Sequence, residues 1–356
     1  MSISYFRGFG SYIPEVIKKN EDFHVNTFYD ENKESLAGSS ELITRKFEKI
    51  TGIQNRRYAS DHELTSDLGV KAAELAIKKS GIEKETIDHI IVAHNFGNVN
   101  HGDIQSVIMP SLASKIKQGL NIHNPRAVAY DLIFGCPGWV QGVIQADSFI
   151  KSGMATNVLV IGCETLSRVL DPHDRDSMIF ADGAGACILS SKETSSIEEG
   201  ILSYSSVTHA IEEADYLYCG ESYRPGIEQT KYIKMKGRKI YEYALSNVPL
   251  GMKETLDKSG KSIYDVKKIF LHQANEKMDD AIVERFYNLY GITDVPKDIM
   301  PMSIKHLGNS SVATIPTLID LVIEKNLDDH EVKKGDVVII ASVGAGMNIN
   351  AITYQF

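Results

Sequence analysis

Cysteine and tryptophan are scarce in this sequence, with four Cys and one Trp among 356 residues. The cysteines are Cys136, Cys163, Cys187 and Cys219, and no two of them have Cys-x-x-Cys or Cys/His spacing. Neither a disulfide framework nor a zinc site is therefore predicted, and no metal or cofactor is expected. Cys163 and Cys187 lie within apolar segments typical of strands and are predicted to belong to the core.

Basic clusters and long apolar runs are also missing. The formal net charge is −9, and no stripe rich in lysine or arginine occurs, which argues against a nucleic-acid partner. No apolar segment of a signal peptide opens the chain, and its longest apolar runs are shorter than a membrane-spanning helix. We therefore expect a cytoplasmic protein with no membrane partner. Its 43% hydrophobic and 24% charged residues are typical of a globular protein with a large core.

Apolar segments of strand length alternate with amphipathic helical segments, which predicts an α/β fold with a largely parallel sheet. The period of the apolar residues and the turn signals place the individual elements. The predicted strands are Ile3–Phe9, Ile87–His94, Asn157–Glu164, Ala181–Leu189 and Val337–Ala341. The predicted helices are Leu64–Ser80, a helix near Ile104–Gln118, and Val312–Glu324.

An internal repeat divides the chain. The segment Lys78–His94 reappears in outline as Asp257–His272, and each copy has a helix end, a Ser-Gly stop, a polar loop and a strand ending in histidine. The turn, helix and strand that follow Gly135 are echoed after Gly308. The sequence therefore predicts two similar α/β halves, residues 1–190 with the reactive cysteine described next, and residues 191–356.

The stretch from Tyr130 to Ile150 is the one around which the chain is organised. An apolar run typical of a buried strand ends at Phe134, and a helical apolar pattern begins just beyond Gly135-Cys136-Pro137-Gly138. Cys136 is therefore predicted to lie on a sharp turn at a helix N-terminus, where a lowered thiol pKa is expected. Such a turn is typical of a nucleophile elbow. The alternative is a small buried cysteine that fills the junction between helix and sheet.

The repeat also predicts where two other polar residues lie. If the halves pack about a pseudo-twofold axis, Asn309 lies opposite Cys136, and His272 ends a strand that borders the same cleft. A thiolate there could attack a thioester, and the imidazole and amide could stabilise the enolate that forms when a second, carboxylated thioester loses carbon dioxide. Each residue has an alternative role: His272 as a core histidine at a strand end, and Asn309 as the N-cap of the next helix.

Five motifs resemble, in the same order, those of β-ketoacyl-ACP synthase III-type condensing enzymes of the thiolase superfamily. They are G-C-P-G-W, D-P-H-D-R-D-S-M-I-F-A-D-G-A-G-A, Y-I-K-M-K-G-R, L-H-Q-A-N and L-G-N-S-S-V-A-T-I-P. The similarity covers nearly the whole chain. It implies a thiolase fold, in which the two repeated halves form a layered αβαβα core. It also implies Cys136 as the acylated nucleophile and His272 with Asn309 as the pair that promotes decarboxylation.

The resemblance further implies residues that contact the substrates. The backbone N–H groups of Cys136 and Ala345 would form the oxyanion hole. Arg175 would contact the nucleotide end of coenzyme A or the acyl carrier, and Trp139, beside the nucleophile, and Lys277 are further candidates for substrate binding. The tryptophan that stacks on adenine in typical members is missing before the Thr51-Gly52-Ile53 motif. An acyl carrier protein is therefore the expected partner.

The predicted activity is that of a homodimeric acyltransferase in fatty-acid or specialised lipid or polyketide synthesis. It takes an acyl group onto Cys136 and condenses it with a malonyl- or β-ketoacyl-thioester by a decarboxylative Claisen reaction. One alternative is an acyl transferase or a head-to-head acyl condensing enzyme that removes no carboxyl group. Another is a non-catalytic partner in a heterodimer, although such partners typically lose the cysteine that this chain keeps.

Overall fold

The computed structural model describes residues 2–194, 199–327 and 330–356. Each half contains one large sheet, and small two-stranded sheets lie beside them. In chain order the strands are β1 (Ser2–Tyr12), β2 (Val16–Lys19), β3 (Asn55–Tyr58), β4 (His89–Ala93), β5 (Val128–Leu132), β6 (Asn157–Thr165), β7 (Asp182–Glu193), β8 (Gly200–Thr208), β9 (Leu217–Glu221), β10 (Lys231–Met235), β11 (Val266–Leu271), β12 (Val337–Gly344) and β13 (Asn348–Gln355).

The two large sheets share one topology, which confirms the predicted repeat. The first has the strand order β1-β7-β6-β4-β5, and the second has the order β8-β13-β12-β11 when written in the same direction. The repeated unit of each sheet has one parallel pair, β4 with β6 and β11 with β12, and the strands that follow from β6 and β12 pair antiparallel. The strand β5 extends the first sheet beyond the repeated unit, parallel to β4.

The helices complete five layers. They are α1 (Ser40–Thr51), α2 (Thr65–Ser80), α3 (Leu112–Gly119), α4 (Gly138–Lys151), α5 (Gly237–Ser259), α6 (Glu276–Asn288), α7 (Ile304–Leu307) and α8 (Thr314–Ile323). Helices α4 and α8 lie between the sheets and contact strands of both, whereas α2 with α3 and α5 with α6 cover the outer faces. The central helices are apolar on nearly every side because each faces two sheets. The predicted layered αβαβα core is confirmed.

Most predicted elements are confirmed, but two begin elsewhere. The helix predicted near Ile104–Gln118 is α3, which begins only at Leu112. Proline at 110 disfavours helical backbone at the residue before it, and the Ser111 side chain caps the helix by accepting the N–H of Ser114. The helix predicted from Val312 is preceded by a single 3₁₀ turn, Ser311–Ala313, and α8 follows.

The predicted division at residue 190 falls inside β7, which continues to Glu193. The first large sheet therefore takes all its strands from residues up to Glu193, and the second takes its strands from Gly200 onward. No helix in the described part of the chain combines the length and the apolar character needed to cross a membrane.

Candidate active site

The turn between β5 and α4 holds Cys136 between two glycines that face each other across the halves. Gly135 has φ +70°, and a side chain on it would lie 2.7 Å from the backbone nitrogen of Ala345. A side chain on Gly344 would lie 2.5 Å from the backbone nitrogen of Cys136. Both positions therefore need glycine, since only glycine permits this approach of two backbones. The contact brings the backbone nitrogens of Cys136 and Ala345, the predicted oxyanion hole, to the same point.

Cys136, His272 and Asn309 line one cavity of about 60 Å³, so the structure brings together the three residues that the repeat predicts. Each of the three residues lies at one end of a helix, a strand or a 3₁₀ turn. Cys136 lies just before α4, His272 directly after β11, and Asn309 just before the 3₁₀ turn that leads into α8. The rest of the cavity wall is mostly apolar, which strengthens any hydrogen bond or charge inside it.

Backbone and side-chain hydrogen bonds hold Asn309. Its N–H donates to the Ile179 carbonyl at 3.0 Å, and its carbonyl accepts the Ala181 N–H at 2.8 Å. Its side-chain oxygen accepts the backbone N–H of Ser311 at 2.7 Å. The N-cap of α8 is Ala313, so the alternative role of Asn309 as the cap of that helix is wrong. Because the amide oxygen is bound, the amide NH₂ is oriented for another acceptor.

His272 is a buried histidine held by its backbone rather than by its ring. Its N–H donates to the Ala341 carbonyl at 2.9 Å, and the following residue, Gln273, ties the segment to a loop by accepting the Ser303 N–H at 2.9 Å. The ring nitrogen Nδ1 is buried without a hydrogen-bond partner among the described residues. Burial lowers the pKa of His272 to about 4. The imidazole is therefore neutral at neutral pH and can donate one N–H.

The expected lowering of the Cys136 pKa is wrong for the unliganded protein. Burial raises the pKa of this thiol to about 11, and the nearby carboxyl of Glu164 raises it further, while a hydrogen bond from Ser311 opposes the rise. Among the described residues, no lysine or arginine lines either cavity to offset the lost hydration. Sequence patterns place the thiol at a helix N-terminus but do not show how completely the second half closes over it.

A second, mostly apolar cavity of about 120 Å³ is also lined by Cys136 and adjoins the first, with which it shares Phe180 and Leu217. Its wall further includes Phe96, Ile233 and Ala345. Cys219 also lines this cavity, although Cys163 and Cys187 are fully buried in strands as predicted. The space next to Cys136 therefore suits an apolar chain, and the space on the side of His272 suits a group that needs hydrogen-bond donors.

Arg175 lies outside both cavities, at the mouth of a surface groove. Its guanidinium donates two hydrogen bonds to Asp176 Oδ1, at 3.0 Å from Nε and 2.9 Å from Nη2. A groove of about 460 Å³ begins at Arg175 and shares Ala274 and Met278 with the cavity of His272. Arg175 thus lines a groove that adjoins the cavity of His272.

The other two predicted contact residues lie apart from the cavities. Trp139 is buried in the core, where its ring stacks on Phe6 at 6.1 Å and packs against Phe9. The structure does not bring it to either cavity that Cys136 lines. The first turn of a helix between two sheets points into the core, and the sequence does not distinguish that direction from the cleft. Lys277 is exposed near the start of α6.

Sequence analysis missed three polar residues next to Cys136. Ser311 donates a hydrogen bond to the Cys136 sulfur, and Asn95 and Glu164 extend the contact behind it. Ser311 lies in the L-G-N-S-S motif already quoted. Asn95 and Glu164 lie at the carboxyl ends of the neighbouring strands β4 and β6, an arrangement that brings side chains together and that predicted strand order could have revealed.

The donor set around Cys136 does not include a metal site. Among the residues that the structure describes, no three His, Cys, Asp or Glu side chains are grouped as ligands. The groups that remain are a thiol, a neutral imidazole, an amide and backbone N–H donors, which together suit acyl chemistry without a Lewis acid.

Comparison with known proteins agrees with the geometry. The family model for 3-oxoacyl-[acyl-carrier-protein (ACP)] synthase III matches residues 130–209, and its C-terminal model matches residues 256–356. The β-ketoacyl-[acyl-carrier-protein] synthase III of Ehrlichia ruminantium (strain Welgevonden) is 33% identical over 98% of this chain and 97% of its own length. The corresponding protein of Vibrio vulnificus (strain YJ016), synthase III 1, is 31% identical over 98% of both chains.

Solved structures give the same result. The β-ketoacyl-[acyl-carrier-protein] synthase III of Thermus thermophilus superposes with a TM-score of 0.81 at 28% identity, covering 99% of both chains. That of Aquifex aeolicus VF5 gives 0.79 at 28% identity over 99% of this chain and 100% of its own. The shared fold, the full-length similarity and the cysteine elbow agree, and the chain belongs to the 3-oxoacyl-[acyl-carrier-protein] synthase III family.

Proposed function

We propose that this protein condenses an acyl group held on Cys136 with a malonyl-type thioester, with loss of carbon dioxide. The observation that carries the proposal is that Cys136 lines two adjoining cavities, one apolar and one containing His272 and Asn309. The two cavities match two successive half-reactions on one sulfur atom. The family relatives carry the name of a synthase of this type.

In the first half-reaction the Cys136 sulfur attacks the carbonyl carbon of an acyl-thioester whose chain lies in the apolar cavity. The carbonyl oxygen becomes negative, and the N–H groups of Cys136 and Ala345 are the donors proposed to stabilise it. The new C–S bond forms as the C–S bond of the donor breaks. The departing thiolate takes up the proton of Cys136, so no strongly basic residue is needed even though burial raises the thiol pKa.

In the second half-reaction a carboxylated thioester lies on the side of His272. The bond to its carboxylate breaks, carbon dioxide leaves, and the electron pair becomes an enolate on the thioester. The N–H of neutral His272 and the NH₂ of Asn309 supply donors for that enolate oxygen. The enolate carbon then attacks the acyl carbon on Cys136, the C–S bond breaks, and the Cys136 thiolate that leaves takes up a proton from water. A neutral imidazole suits this role because a charged one would be costly in this apolar pocket.

The surface groove supplies the entrance. It leads from Arg175 to the cavity of His272, a path suited to the extended phosphopantetheine arm shared by coenzyme A and acyl carrier protein. Exposed Lys277 is next in sequence to Met278 of this groove, and exposed Arg285 lies about two turns further along α6, where it also donates to the Leu245 carbonyl at 3.1 Å. Both are proposed to contact the acidic surface of a carrier protein. We propose the acyl carrier protein as the preferred acyl source because the adenine-stacking tryptophan of typical members is missing before the Thr51-Gly52-Ile53 motif.

The open edge of the first sheet supports a homodimer. Strand β5 forms that edge and has no neighbour on its outer side among the described residues. Apolar side chains are exposed on and near it, with 64% of Ile133 and 50% of Val128 accessible. Pairing with a second copy would cover such an edge, which otherwise risks aggregation. Light scattering at micromolar concentration should give the mass of a dimer, and a fully active monomer would contradict this part of the proposal.

Release of labelled carbon dioxide from a malonyl-thioester tests the reaction itself. The protein, an acyl-thioester and the labelled malonyl-thioester should release carbon dioxide in equal amount to the condensed product. Cys136→Ala should give no condensed product. A product formed without carbon dioxide would identify the head-to-head or transferase alternative. An absence of any acyl transfer to Cys136 would instead identify a non-catalytic partner.

A further inference from the structure

Ser311 has a backbone conformation that residues other than glycine rarely adopt. Its φ is +53°, in the left-handed region, where a side chain costs about 1 kcal/mol or more. The residue is also buried, with 3% of its surface exposed. Its N–H donates to the side-chain oxygen of Asn309 at 2.7 Å, so the backbone of the turn is fixed by a residue of the proposed site. Strain of this kind is kept only where the surrounding structure holds it.

This conformation directs the Ser311 hydroxyl toward the nucleophile. The oxygen Oγ lies 3.3 Å from Cys136 Sγ, in donor geometry toward the sulfur. The same oxygen accepts a hydrogen bond from Asn95 Nδ2 at 3.1 Å. Because Asn95 supplies the hydrogen in that bond, the hydroxyl hydrogen is left to point at sulfur.

A buried carboxyl group fixes the direction of Asn95 in turn. The same amide nitrogen donates to Glu164 Oε1, so both hydrogens of the Asn95 amide are used, one on each neighbour. Glu164 is 1% exposed, and its other oxygen has no partner among the described residues. An amide cannot relay a proton, so these contacts orient Ser311 and do not form a proton path.

We propose that Ser311, oriented by Asn95 and Glu164, is a positioning residue that directs a hydrogen bond to Cys136 and so promotes formation of its thiolate. The inference rests on the proposed role of Cys136 as nucleophile. A hydroxyl donor stabilises the charged sulfur more than the neutral one, because a hydrogen bond to a charged group is the stronger kind. The same contact lowers the pKa of Cys136 against the effect of burial. Glu164 on β6 and neutral His272 after β11 are the titratable groups that face this sulfur.

Two variants separate the hydroxyl from the strained backbone. Ser311→Ala removes the hydroxyl and keeps a side chain at positive φ, whereas Ser311→Gly removes the hydroxyl and relieves the strain. The rate of Cys136 alkylation by iodoacetamide reports the thiolate without any condensation reaction. Because Cys219 lines the neighbouring cavity, the modified peptide must be identified by mass spectrometry. Both variants should alkylate Cys136 about tenfold more slowly than the unmodified chain at about pH 8, with the rate profile shifted to higher pH.

The outcomes are distinguishable. Alkylation rates within about twofold of the unmodified chain in both variants would overturn the inference, whatever the condensation assay shows. A loss in Ser311→Ala that is absent in Ser311→Gly would assign the effect to backbone strain and would also overturn it. Ser310→Ala is the matched control, since it removes the neighbouring hydroxyl, which pairs with Thr314 at 3.4 Å and not with Cys136, and it should alkylate at the normal rate. Failure to release carbon dioxide in the unmodified chain would contradict the proposed function alone.

Discussion

The two halves place a histidine at the same point and use it differently. His94 follows β4 and His272 follows β11, which are equivalent strands of the repeat. The ring of His94 has a neighbour on each side: Nδ1 accepts the Gly97 N–H at 2.9 Å, and Nε2 lies 3.0 Å from a carboxylate oxygen of Asp131, at ion-pair distance but outside hydrogen-bond geometry. The ring of His272 has no such carboxylate, and its Nδ1 has no hydrogen-bond partner among the described residues.

The difference shows that equivalent residues in the two repeated halves can take different roles. Asp131 also accepts the N–H groups of Leu112 and Ala113, so His94 belongs to a set of contacts that anchors α3. His272 instead faces a cavity shared with Cys136 and Asn309. A bound ring stabilises the fold, whereas a ring with free hydrogen-bonding capacity is available to a substrate. Position in the repeat therefore predicts where a histidine lies, and its partners decide what it does.

The largest effect should come from His272→Ala. Condensation should fall by about 100-fold to 1,000-fold, the loss typical when one donor to a developing oxyanion is removed. Acylation of Cys136 should continue, because the enolate exists only in the second half-reaction. The midpoint of thermal unfolding should fall less than in His94→Ala, since Nδ1 of the His272 ring makes no hydrogen bond within the described part of the chain. Equal loss of acylation and condensation would make His272 part of nucleophile activation instead.

The matched change His94→Ala should have the reverse effect: it should lower stability and leave acylation nearly unchanged. It removes the partner of Asp131 and one acceptor for the Gly97 N–H in a buried region. The free energy of unfolding should fall by about 1–3 kcal/mol, as expected when buried polar groups lose their partners. Urea denaturation measures that loss. The acylation rate of the folded fraction should stay close to normal, and a collapse of acylation in a stably folded variant would contradict the assignment.

A smaller effect is expected at the carrier contact. Among the described residues, the groove that Arg175 lines shares wall residues with the cavity of His272 and none with the apolar cavity. We expect kcat/KM for an acyl-ACP to exceed that for the matching acyl-CoA by about tenfold, as the loss of one aromatic stacking partner predicts. Added salt should reduce the acyl-ACP rate more than the acyl-CoA rate.

Lys277→Glu and Arg285→Glu should each lower the acyl-ACP rate and leave the acyl-CoA rate unchanged. Steady-state kinetics with both donors at two salt concentrations checks this. Equal use of acyl-CoA would show that another aromatic replaces the missing tryptophan, and exposed Tyr241 in the groove is the residue to change next.

The smallest effect should come from Glu164, whose position in the repeat corresponds to Val343 in the second half. Burial raises the pKa of Glu164 to about 8, and the charge of Asp182 on β7 contributes to the rise. Below that pH the carboxyl is neutral. Above it, the negative charge opposes thiolate formation at Cys136, because like charges repel.

Glu164→Gln keeps an acceptor for Asn95 and removes the charge. Its Cys136 should alkylate at the normal rate below about pH 8 and several-fold faster than the unmodified chain above it. The alkylation rate of the Cys136 peptide, measured as a function of pH, shows the pH above which the two proteins differ. Parallel profiles at every pH would show that the carboxyl does not affect the nucleophile.

Local sequence patterns predict where the main residues of the site lie. The Gly135-Cys136-Pro137-Gly138 turn and the repeated strand ending in histidine were enough to predict that Cys136, His272 and Asn309 lie together. The start of α3 was missed because Pro110 and Ser111 override an apolar pattern that looked helical. Local patterns identify turns and the periodicity of apolar residues, and the folded chain keeps both.

Properties that depend on how the two halves pack over Cys136 could not be predicted from the sequence. The raised pKa of Cys136 comes from the depth at which the halves enclose it, and no local pattern reports that depth. Trp139 points into the core because α4 lies between two sheets. The contact of Ser311 with Asn95 joins residues that are 216 positions apart and depends on strand order and on one left-handed residue.

The most direct test follows the Cys136 peptide by mass spectrometry through both half-reactions. After incubation with an acyl-thioester, the unmodified chain and His272→Ala should both carry the acyl group on Cys136. A malonyl-thioester added next should remove that group as product from the unmodified chain and leave it in place on His272→Ala. An acyl group found on Cys219, or removed equally from both proteins, would contradict the division of work between the halves.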